Sequence, residues 1–345
     1  MTLDLLLIGF GHVGRRFVQL LDESRPALEA LGLSTRVVGI ATARHGHLYD
    51  DTGLDAAGAI GRIESGGRLS PEDAAPLDLV ARFGAGRVGA PVVVETTRLD
   101  VTSGEPALSH ARAALRSRVH VVTANKGPAA FAYRELAALA ASSEVSFLFE
   151  GAVMDGIPIF NLVRETLPAC EIRGFRGVVN STTNYILTAL EEGEDFQSAL
   201  ARMQAAGVAE ADPSLDVEGW DAAAKAAAMA NVWLDARTSP PAVAREGLGP
   251  GTGERARAAR AHRMRLKLVA SGRREGARVN TRVGLVALGP DDPLARLDGQ
   301  ANALELDTWP AGRIVITQRD GGLEKTAYAL VSDLVTIARR LGARA

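Results

Sequence analysis

The first two dozen residues constrain the fold of this chain more than any other segment. Leu3 to Ile8 is an apolar run of strand length, GFGHVG follows it, and RRFVQLLDE has helical spacing. A strand, a glycine turn and a helix in this order place backbone amides and a helix N-terminus where they can hold a pyrophosphate. The pattern predicts a parallel α/β sheet whose first turn binds a dinucleotide. The residues of that turn are Gly9, Phe10, Gly11, His12, Val13 and Gly14.

Later apolar runs extend the predicted sheet. PVVVETT and HVVTA are strand-like, helical patterns separate them, and VSFLFE ends the first half at Glu150. In a doubly wound sheet, ligands lie beyond the carboxyl ends of the strands. The residues at the carboxyl ends of these two strands are Thr96, Thr97 and Arg98, then Asn125 and Lys126. At this stage Lys126 is equally compatible with an ordinary loop lysine.

The end of the second strand, TRVVGIATA, bears on which dinucleotide is bound. NAD sites usually place a carboxylate there, whereas this chain has Thr42, Ala43 and Arg44. An arginine at this position favours a 2′-phosphate and hence NADP, with NAD as the second choice. The alternative is that Arg44 is only a solvated loop residue. Between Asp50 and Pro76 the glycine-rich sequence predicts a long surface connection.

The segment EADPSLDVEGWDAAAK, residues 210–225, combines five acidic residues with a lysine at the start of an alanine-rich helix. Asp221 is expected near the helix N-terminus, and Lys225 follows on the same face one turn later, so the two side chains can meet. The simple interpretation is a surface ion pair. However, alanines surround Lys225 and indicate a closely packed helix, where lost hydration would tune the lysine for proton transfer. With Glu210, Asp212 and Asp216 approaching in a loop, the pattern favours a site for an amine-bearing small molecule.

The second half of the chain predicts a separate α+β domain. GFRGVVNSTTNYILTALEE has the pattern of a strand, a polar turn and a helix, and the turn contains Thr182 and Thr183. Such a turn suits either a helix cap or a carboxylate ligand. Alternating strands follow, GRIVIT is predicted to be a buried strand, and the final helix is expected to pack on the first domain.

Composition excludes several classes of protein. The chain has 345 residues, which suits two domains, and a formal net charge of −2, which gives no electrostatic basis for binding nucleic acid. No apolar run approaches the roughly 18 residues of a membrane span, and the N-terminus has no basic region typical of a signal peptide. The one cysteine, Cys170, cannot form an internal disulfide. We expect a cytoplasmic enzyme or binding protein.

The motifs together resemble the homoserine dehydrogenase family over nearly the whole chain. They are GFGHVG, SGEPA, VVTANKGP, GIPIF, GVVNSTTNYILT and AEADPSLDVEGWDAAAK, with DGQANAL and TAYALVSDLVTIAR near the end. The resemblance implies a short form without a regulatory domain. It implies a Rossmann-type domain at 1–150, a substrate and dimerisation domain at 151–312, and a strand and helix at 313–345 that return to the first domain. It also implies a homodimer in threonine and methionine biosynthesis.

The family reaction is the interconversion of aspartate semialdehyde and homoserine by hydride transfer with NAD(P). By motif match, Lys126 and Lys225 would be catalytic together with Asp221. The residues that the match assigns to the amino-acid substrate are Glu210, Asp216, Asp221, Gly207, Thr182 and Thr183. Gly322 joins the cofactor set. A monovalent cation would lie near Glu150, Val153, Asp155 and Ile157.

Five positions depart from the family pattern, namely Arg98, Met154, Asp155, Ser181 and Arg319. Because they interrupt motifs near the ligands, they predict a substrate other than, or additional to, homoserine, unless Arg98 pairs with a carboxylate such as Asp155 and the site is only repacked. A catalytically silent relative is a second possibility, although such a site has no need for a desolvated lysine. A thioester-forming aldehyde dehydrogenase is a third, and Cys170 has no recognisable base for it.

Overall fold

The computed structural model describes residues 1–73, 75–86, 89–205 and 212–343. They form two compact units. The first comprises Met1–Pro128, Ala132–Phe160 and Leu323–Ala345, and the second comprises Ala129–Phe131 and Asn161–Gly322.

The first unit is built on a mostly parallel sheet. Its strands are β1 (Thr2–Ile8), β2 (Ser34–Thr42), β3 (Gly46–Tyr49), β4 (Ala90–Glu95), β5 (His120–Thr123) and β6 (Phe147–Leu148). They lie in the order 3-2-1-4-5-6, and each neighbouring pair is parallel except β2 and β3, which form an antiparallel hairpin. Valine and leucine runs form the central strands because both faces of a parallel sheet are buried. The predicted α/β fold class is confirmed.

Helices connect these strands. They are α1 (His12–Glu23), α2 (Arg25–Ala30), α3 (Ala56–Glu64), α4 (Pro76–Ala85), α5 (Ala107–Arg116) and α6 (Gly127–Ser142). A 3₁₀ turn spans Glu150–Ala152, and the single turn α7 (Ile159–Asn161) leads into the second unit. The last helix, α13 (Leu323–Gly342), packs on α1, and its Leu330 and Leu334 are fully buried in the same core as Leu5.

The expectation of a long surface connection between Asp50 and Pro76 is wrong at α3, which is a helix with one buried face. Asp55 caps this helix by accepting a hydrogen bond of 2.9 Å from the Gly58 amide. Ala56, Ala59, Ile60 and Ile63 are buried at helical spacing. The cap and this short apolar stripe were sufficient to overcome the low helix propensity of the two glycines.

The second unit contains a mixed sheet. Its strands are β7 (Glu171–Val178), β8 (Ala244–Arg245), β9 (Arg265–Glu275), β10 (Arg278–Leu288), β11 (Asn302–Trp309) and β12 (Gly312–Gln318). They lie in the order 12-11-7-9-10-8. The helices are α8 (Ser181–Glu191), α9 (Phe196–Ala205), α10 (Ser214–Val217), α11 (Trp220–Leu234) and α12 (Thr252–Ala261). Of these, α8, α11 and α12 pack against β9.

Two sequence-based expectations about β12 are wrong. This strand does not return with α13, because it pairs antiparallel with β11 across the whole hairpin, from Asn302–Gln318 to Thr308–Gly312. It is also largely exposed, because Arg313, Val315 and Thr317 alternate on a face of the sheet that is open to solvent, with Val315 43% exposed. In the described part of the chain no helix has the length and apolarity to cross a bilayer.

Candidate functional site

Helix α11 brings a lysine and a carboxylate together in the second unit. Lys225 Nζ lies 3.0 Å from Asp221 Oδ2, and the two side chains are only 13% and 15% exposed. The same Nζ donates a hydrogen bond of 2.5 Å to the Val179 carbonyl. Alanines 222–224 and 226–228 are buried on both sides of Lys225, so they admit close packing and strip water from the lysine. The predicted contact between the two side chains is therefore present, and it is not a surface ion pair.

Asn180 ties two carboxylates to this arrangement. Its amide nitrogen donates to Asp216 Oδ1 at 2.7 Å and to Asp221 Oδ2 at 3.0 Å. Its amide oxygen accepts from the Thr183 backbone N–H at 2.9 Å, and so Asn180 also caps α8. The side chain is 6% exposed and uses both of its amide hydrogens on acidic oxygens. The local pattern at Asn180 indicates only a helix cap and gives no sign of these contacts with residues far along the chain.

Asp216 has an unusual electrostatic environment. Burial raises the pKa of its carboxyl group above the ordinary value, and the neighbouring Asp221 carboxylate adds to the rise. Hydrogen bonds from Asn180 and Thr182, together with the charge of Lys225, oppose it. Two carboxylates beside one lysine leave this cluster able to receive a further cationic group, such as an ammonium.

Thr182 and Thr183, which lie in the polar turn after β7, make different contacts. Thr182 is 4% exposed and faces Asp216, whereas Thr183 is 1% exposed and its hydroxyl bonds Asn180 Oδ1 at 3.0 Å. Thr183 therefore serves the helix cap. The predicted substrate-binding residues Gly207 and Glu210 lie outside the described residues.

In the first unit, the glycine turn has the shape that a pyrophosphate needs. Gly9 has φ +91°, and a Cβ atom there would lie 2.6 Å from the Thr96 carbonyl carbon, so no side chain fits. Above Gly11, by contrast, a Cβ atom would meet nothing within 4 Å. The α1 N-terminus has no side-chain cap and no acidic residue in its first turn, so its amides and dipole are available to an anion. The Phe10 side chain is 4% exposed in the core, which leaves only its backbone for contact with a ligand.

The carboxyl ends of β4 and β5 bring the other predicted cofactor residues together. Thr96 Oγ1 donates to the Gly9 carbonyl at 2.8 Å, and Thr97 follows immediately. The Asn125 side chain donates to the Thr97 carbonyl at 3.0 Å, which joins the two strand ends. Lys126 directly follows Asn125 and is the N-cap residue that precedes α6.

Arg44 lies at the tip of the β2–β3 hairpin and is exposed. Thr42 Oγ1 accepts a hydrogen bond of 2.7 Å from the His45 amide and thereby fixes the turn. The Gly9 amide donates to the Ala41 carbonyl at 2.9 Å, which holds this strand end beside the glycine turn. Residues 42–49 contain no Asp or Glu.

The segment proposed to hold a cation lies at the end of the first half of the chain. Glu150 is 1% exposed, and its Oε1 accepts from the Phe160 amide at 2.8 Å. Asp155 has φ +47°, and its Oδ1 accepts from Thr326 at 2.9 Å. Val153 is buried and Ile157 donates its amide to the Met154 carbonyl. In the described ranges no three His, Cys, Asp or Glu side chains form a cluster that could hold a metal.

Comparison with known families identifies both units. Residues 9–150 match the NAD-binding domain of homoserine dehydrogenase, and residues 158–335 match the homoserine dehydrogenase family itself. The chain belongs to the homoserine dehydrogenase family.

Several known proteins are similar to this chain over almost the whole length of both sequences. The NAD⁺-dependent homoserine dehydrogenase of Pseudomonas canavaninivorans is 35% identical over 335 residues, which cover 96% of this chain and 95% of that protein. The homoserine dehydrogenase of Methanocaldococcus jannaschii is also 35% identical, over 97% of this chain and 98% of that one. The crystal structure of a putative homoserine dehydrogenase from Archaeoglobus fulgidus has a TM-score of 0.84 at 30% identity, covering 97% and 99% of the two chains. A hyperthermophilic archaeal homoserine dehydrogenase in complex with NADPH has a TM-score of 0.80 at 28% identity and covers 99% and 98%.

These matches confirm the expected family. The chain is an NAD(P)-dependent oxidoreductase of amino-acid biosynthesis that acts on a CH–OH group, and its substrate is an amino acid.

The positions that depart from the homoserine dehydrogenase pattern have separate explanations. Met154 is 1% exposed in the core, and Ser181 Oγ accepts from Asn302 at 2.9 Å, so both are packing changes. Asp155 bonds Thr326. Arg98 and Arg319 are exposed, and neither forms an ion pair with any residue that the structure describes. The alternative in which Arg98 pairs with Asp155 is therefore wrong.

Proposed function

We propose that this protein interconverts L-homoserine and L-aspartate 4-semialdehyde with NADP(H), and that Lys225 handles the proton. The observation that carries the proposal is the position of Lys225, whose Nζ is held by Asp221 at 3.0 Å and by the Val179 carbonyl at 2.5 Å on an alanine-packed helix.

Lys225 and Lys126 would share the acid–base work. The bound nicotinamide supplies or accepts the hydride. When homoserine is oxidised, its hydroxyl proton must leave as the hydride leaves the same carbon, and a neutral lysine amine can accept that proton. In the reverse direction the lysine ammonium returns the proton and stabilises the negative charge developing on the carbonyl oxygen. Asp221 holds the lysine in place for both steps.

The acidic cluster would hold the amino end of the substrate. Asp216 and Asp221 lie together because Asn180 donates to both of them. An ammonium group between them would relieve their mutual repulsion, which gives binding energy and fixes the orientation of the reacting carbon. By motif match, Glu210 and Gly207 would contribute to the same pocket, and Thr182 would support Asp216.

The dinucleotide would bind the first unit, with its pyrophosphate over Gly11 and its 2′-phosphate at Arg44. The open space above Gly11 and the uncapped N-terminus of α1 support the first contact. The second is supported by an exposed arginine on a hairpin tip without carboxylates. NAD(H) would then be the weaker cofactor. Gly322, which has φ +136° directly before α13, remains a candidate for cofactor contact.

A substrate panel tests the reaction. Purified protein is assayed with homoserine and NADP⁺, and with aspartate semialdehyde and NADPH, by absorbance of the reduced nicotinamide. We expect kcat/KM of roughly 10⁴ M⁻¹s⁻¹ or more for homoserine. Absence of turnover with both pairs, at normal NADPH binding, would instead identify a catalytically silent relative.

The two exposed arginines favour a second candidate, an acidic relative of homoserine. Arg98 and Arg319 belong to different units, and neither has a counter-charge among the described residues. An arginine without a carboxylate partner is suited to an anionic group. Adding acidic analogues to the panel decides the matter, because analogues no better than homoserine would remove this candidate.

The open face of the second sheet supports a homodimer. Ser271, Arg176, Glu305 and Val315 follow one another across four strands on one face, with an adjoining cavity of about 330 Å³. Val286 and Val315 are 40% and 43% exposed there. A face that carries arginines, acids and exposed valines can pair with its own copy in an isologous interface.

We also propose that a monovalent cation binds near Glu150, Val153, Asp155 and Ile157. We further propose that the protein is located in the cytoplasm. Glu150 and Asp155 would supply carboxylate oxygens, and Asp155 itself has a positive φ of +47°. Replacing K⁺ and Na⁺ by N-methylglucamine at constant ionic strength should lower kcat if the cation is required.

A further inference from the structure

The proposed acid–base chemistry does not involve a buried carboxylate that lies at the carboxyl end of β4, beside the predicted cofactor-binding residues. Glu95, the last residue of β4, is 0% exposed. An isolated carboxylate in such a position is costly unless donors satisfy its oxygens. Glu95 Oε1 accepts from the Thr97 amide at 3.0 Å and from the Thr97 hydroxyl, and Oε2 accepts from Thr123 Oγ1 at 3.0 Å. His110 Nδ1 is 3.7 Å from Oε1, beyond hydrogen-bond distance.

The contacts of Glu95 lead to Lys126 through a short hydrogen-bond chain. Thr123 Oγ1 donates to Glu95 and accepts from the Asn125 amide at 2.9 Å. Asn125 Oδ1 then accepts from the Gly127 amide at 2.8 Å. The backbone is therefore fixed on both sides of Lys126, at Asn125 and at Gly127. Thr123 is 0% exposed and Asn125 is 5% exposed, so water does not compete for these bonds.

A second branch leads from Glu95 to the glycine turn. Thr97, held by Glu95, offers its carbonyl to the Asn125 side chain at 3.0 Å. The preceding residue, Thr96, donates its hydroxyl to the Gly9 carbonyl at 2.8 Å. One buried carboxylate thus joins the ends of two neighbouring strands, and these in turn hold the dinucleotide turn and the lysine.

We propose that Glu95 is a positioning residue, which sets Lys126 in register with the glycine turn through Thr123 and Asn125. This inference rests on the proposed catalytic role of Lys126. A charged acceptor forms stronger hydrogen bonds than a neutral one, and it can serve three donors at once. The other side-chain link between these strand ends, from Asn125 to the Thr97 carbonyl, also depends on Glu95, because Glu95 holds Thr97. A displacement of about 1 Å at a catalytic group can lower the rate about 100-fold.

Thr123 offers a matched pair of variants. Thr123→Val keeps the branched shape and removes the hydroxyl, whereas Thr123→Ser keeps the hydroxyl. We expect Thr123→Val to lower kcat about tenfold or more and Thr123→Ser to stay within about twofold, while NADPH affinity, measured by fluorescence, changes little in both. Glu95→Gln is the second variant, because it keeps the shape and turns an N–H₂ group toward donors. It too should lower kcat.

A double-mutant cycle with Lys126→Ala separates positioning from general stability. If Thr123 acts through Lys126, Thr123→Val adds no further loss in the Lys126→Ala background. An equal proportional loss in both backgrounds would overturn the proposal, as would wild-type kcat in Thr123→Val and Glu95→Gln. If Lys126→Ala itself retains full activity, the proposed role of Lys126 fails first and this inference with it. Impairment of Lys126→Ala with normal Thr123→Val and Glu95→Gln overturns the positioning alone.

Discussion

Lys225 Nζ lies 3.0 Å from Asp221 Oδ2, one turn earlier on the same buried helix. The Val179 carbonyl holds the lysine from the other side. Because Val179 and Asn180 are adjacent, the β7–α8 junction contacts the lysine through a carbonyl and the carboxylates through an amide. This junction therefore sets the geometry of the whole cluster.

Lys225→Ala should lower kcat by roughly 10²-fold or more, the usual contribution of a positioned acid–base group. NADPH affinity should be nearly unchanged, since Lys225 belongs to the second unit and α1 to the first. Lys225→Arg keeps the charge but cannot release a proton near neutral pH, so it should be impaired as well. Steady-state kinetics and NADPH fluorescence check both variants, and near-normal kcat in Lys225→Ala would refute the assignment.

Asp216→Asn should separate binding from stability. The variant keeps an acceptor for Asn180 and loses a charge, so we expect kcat/KM for homoserine to fall roughly 10- to 100-fold.

The pKa of Asp216 is raised in the folded protein, so the folded state binds the proton more tightly than the unfolded state, whose pKa is near 3.8. The parent therefore loses stability as pH rises through the folded pKa. In thermal unfolding, the melting temperature of the variant relative to that of the parent should be higher at pH 7 than at pH 4.

Lys267 supplies a second pH-dependent prediction. Its side chain is fully buried and donates to Asn184 Oδ1 at 2.9 Å, and burial lowers its pKa to about 8. Between about pH 8 and 10.5 the unfolded chain binds this proton and the folded one does not, so stability should rise with pH by up to about 1.4 kcal/mol per unit. Lys267→Met removes this contribution. The difference in unfolding free energy between parent and variant, measured in urea at several pH values, should change with that slope, and a constant difference would contradict it.

Local patterns predicted the parts of this structure that depend on neighbouring residues. The glycine turn and the Asp221–Lys225 contact are both set within a few residues, by helix geometry and by the absence of a Cβ atom at Gly9. They could therefore be predicted without the fold.

The remaining features depend on contacts between distant segments. Asn180 has the pattern of a helix cap, and only the fold shows that its amide meets Asp216 and Asp221, 36 and 41 residues away. Likewise, the apolar run of β12 has the composition of a buried strand, but alternate side chains of this strand lie on an exposed face of the sheet. The Glu95 network could not be predicted from local patterns, because Glu95 and Thr123, which it joins, lie 28 residues apart in the sequence.

Arg44→Ala tests the cofactor preference. Loss of a charge-assisted contact with a 2′-phosphate should weaken NADPH by roughly 1 to 3 kcal/mol and leave NADH nearly unchanged. Arg25→Ala is a suitable control, because Arg25 is an exposed residue of the same unit that pairs with Asp22. Titration of each variant with both cofactors decides the matter, and equal losses for NADPH and NADH would exclude the proposed contact.

Val315→Glu tests the dimer. Val315 is 43% exposed on an edge strand and lies directly opposite Glu305, so a second carboxylate there would place two like charges side by side in any interface formed by this face. We expect the variant to shift from dimer to monomer in sedimentation velocity. Leu77→Glu is the matched control, since Leu77 is 47% exposed on α4 of the first unit. If the parent is a dimer and both variants remain dimeric at micromolar concentration, the interface lies elsewhere on the chain.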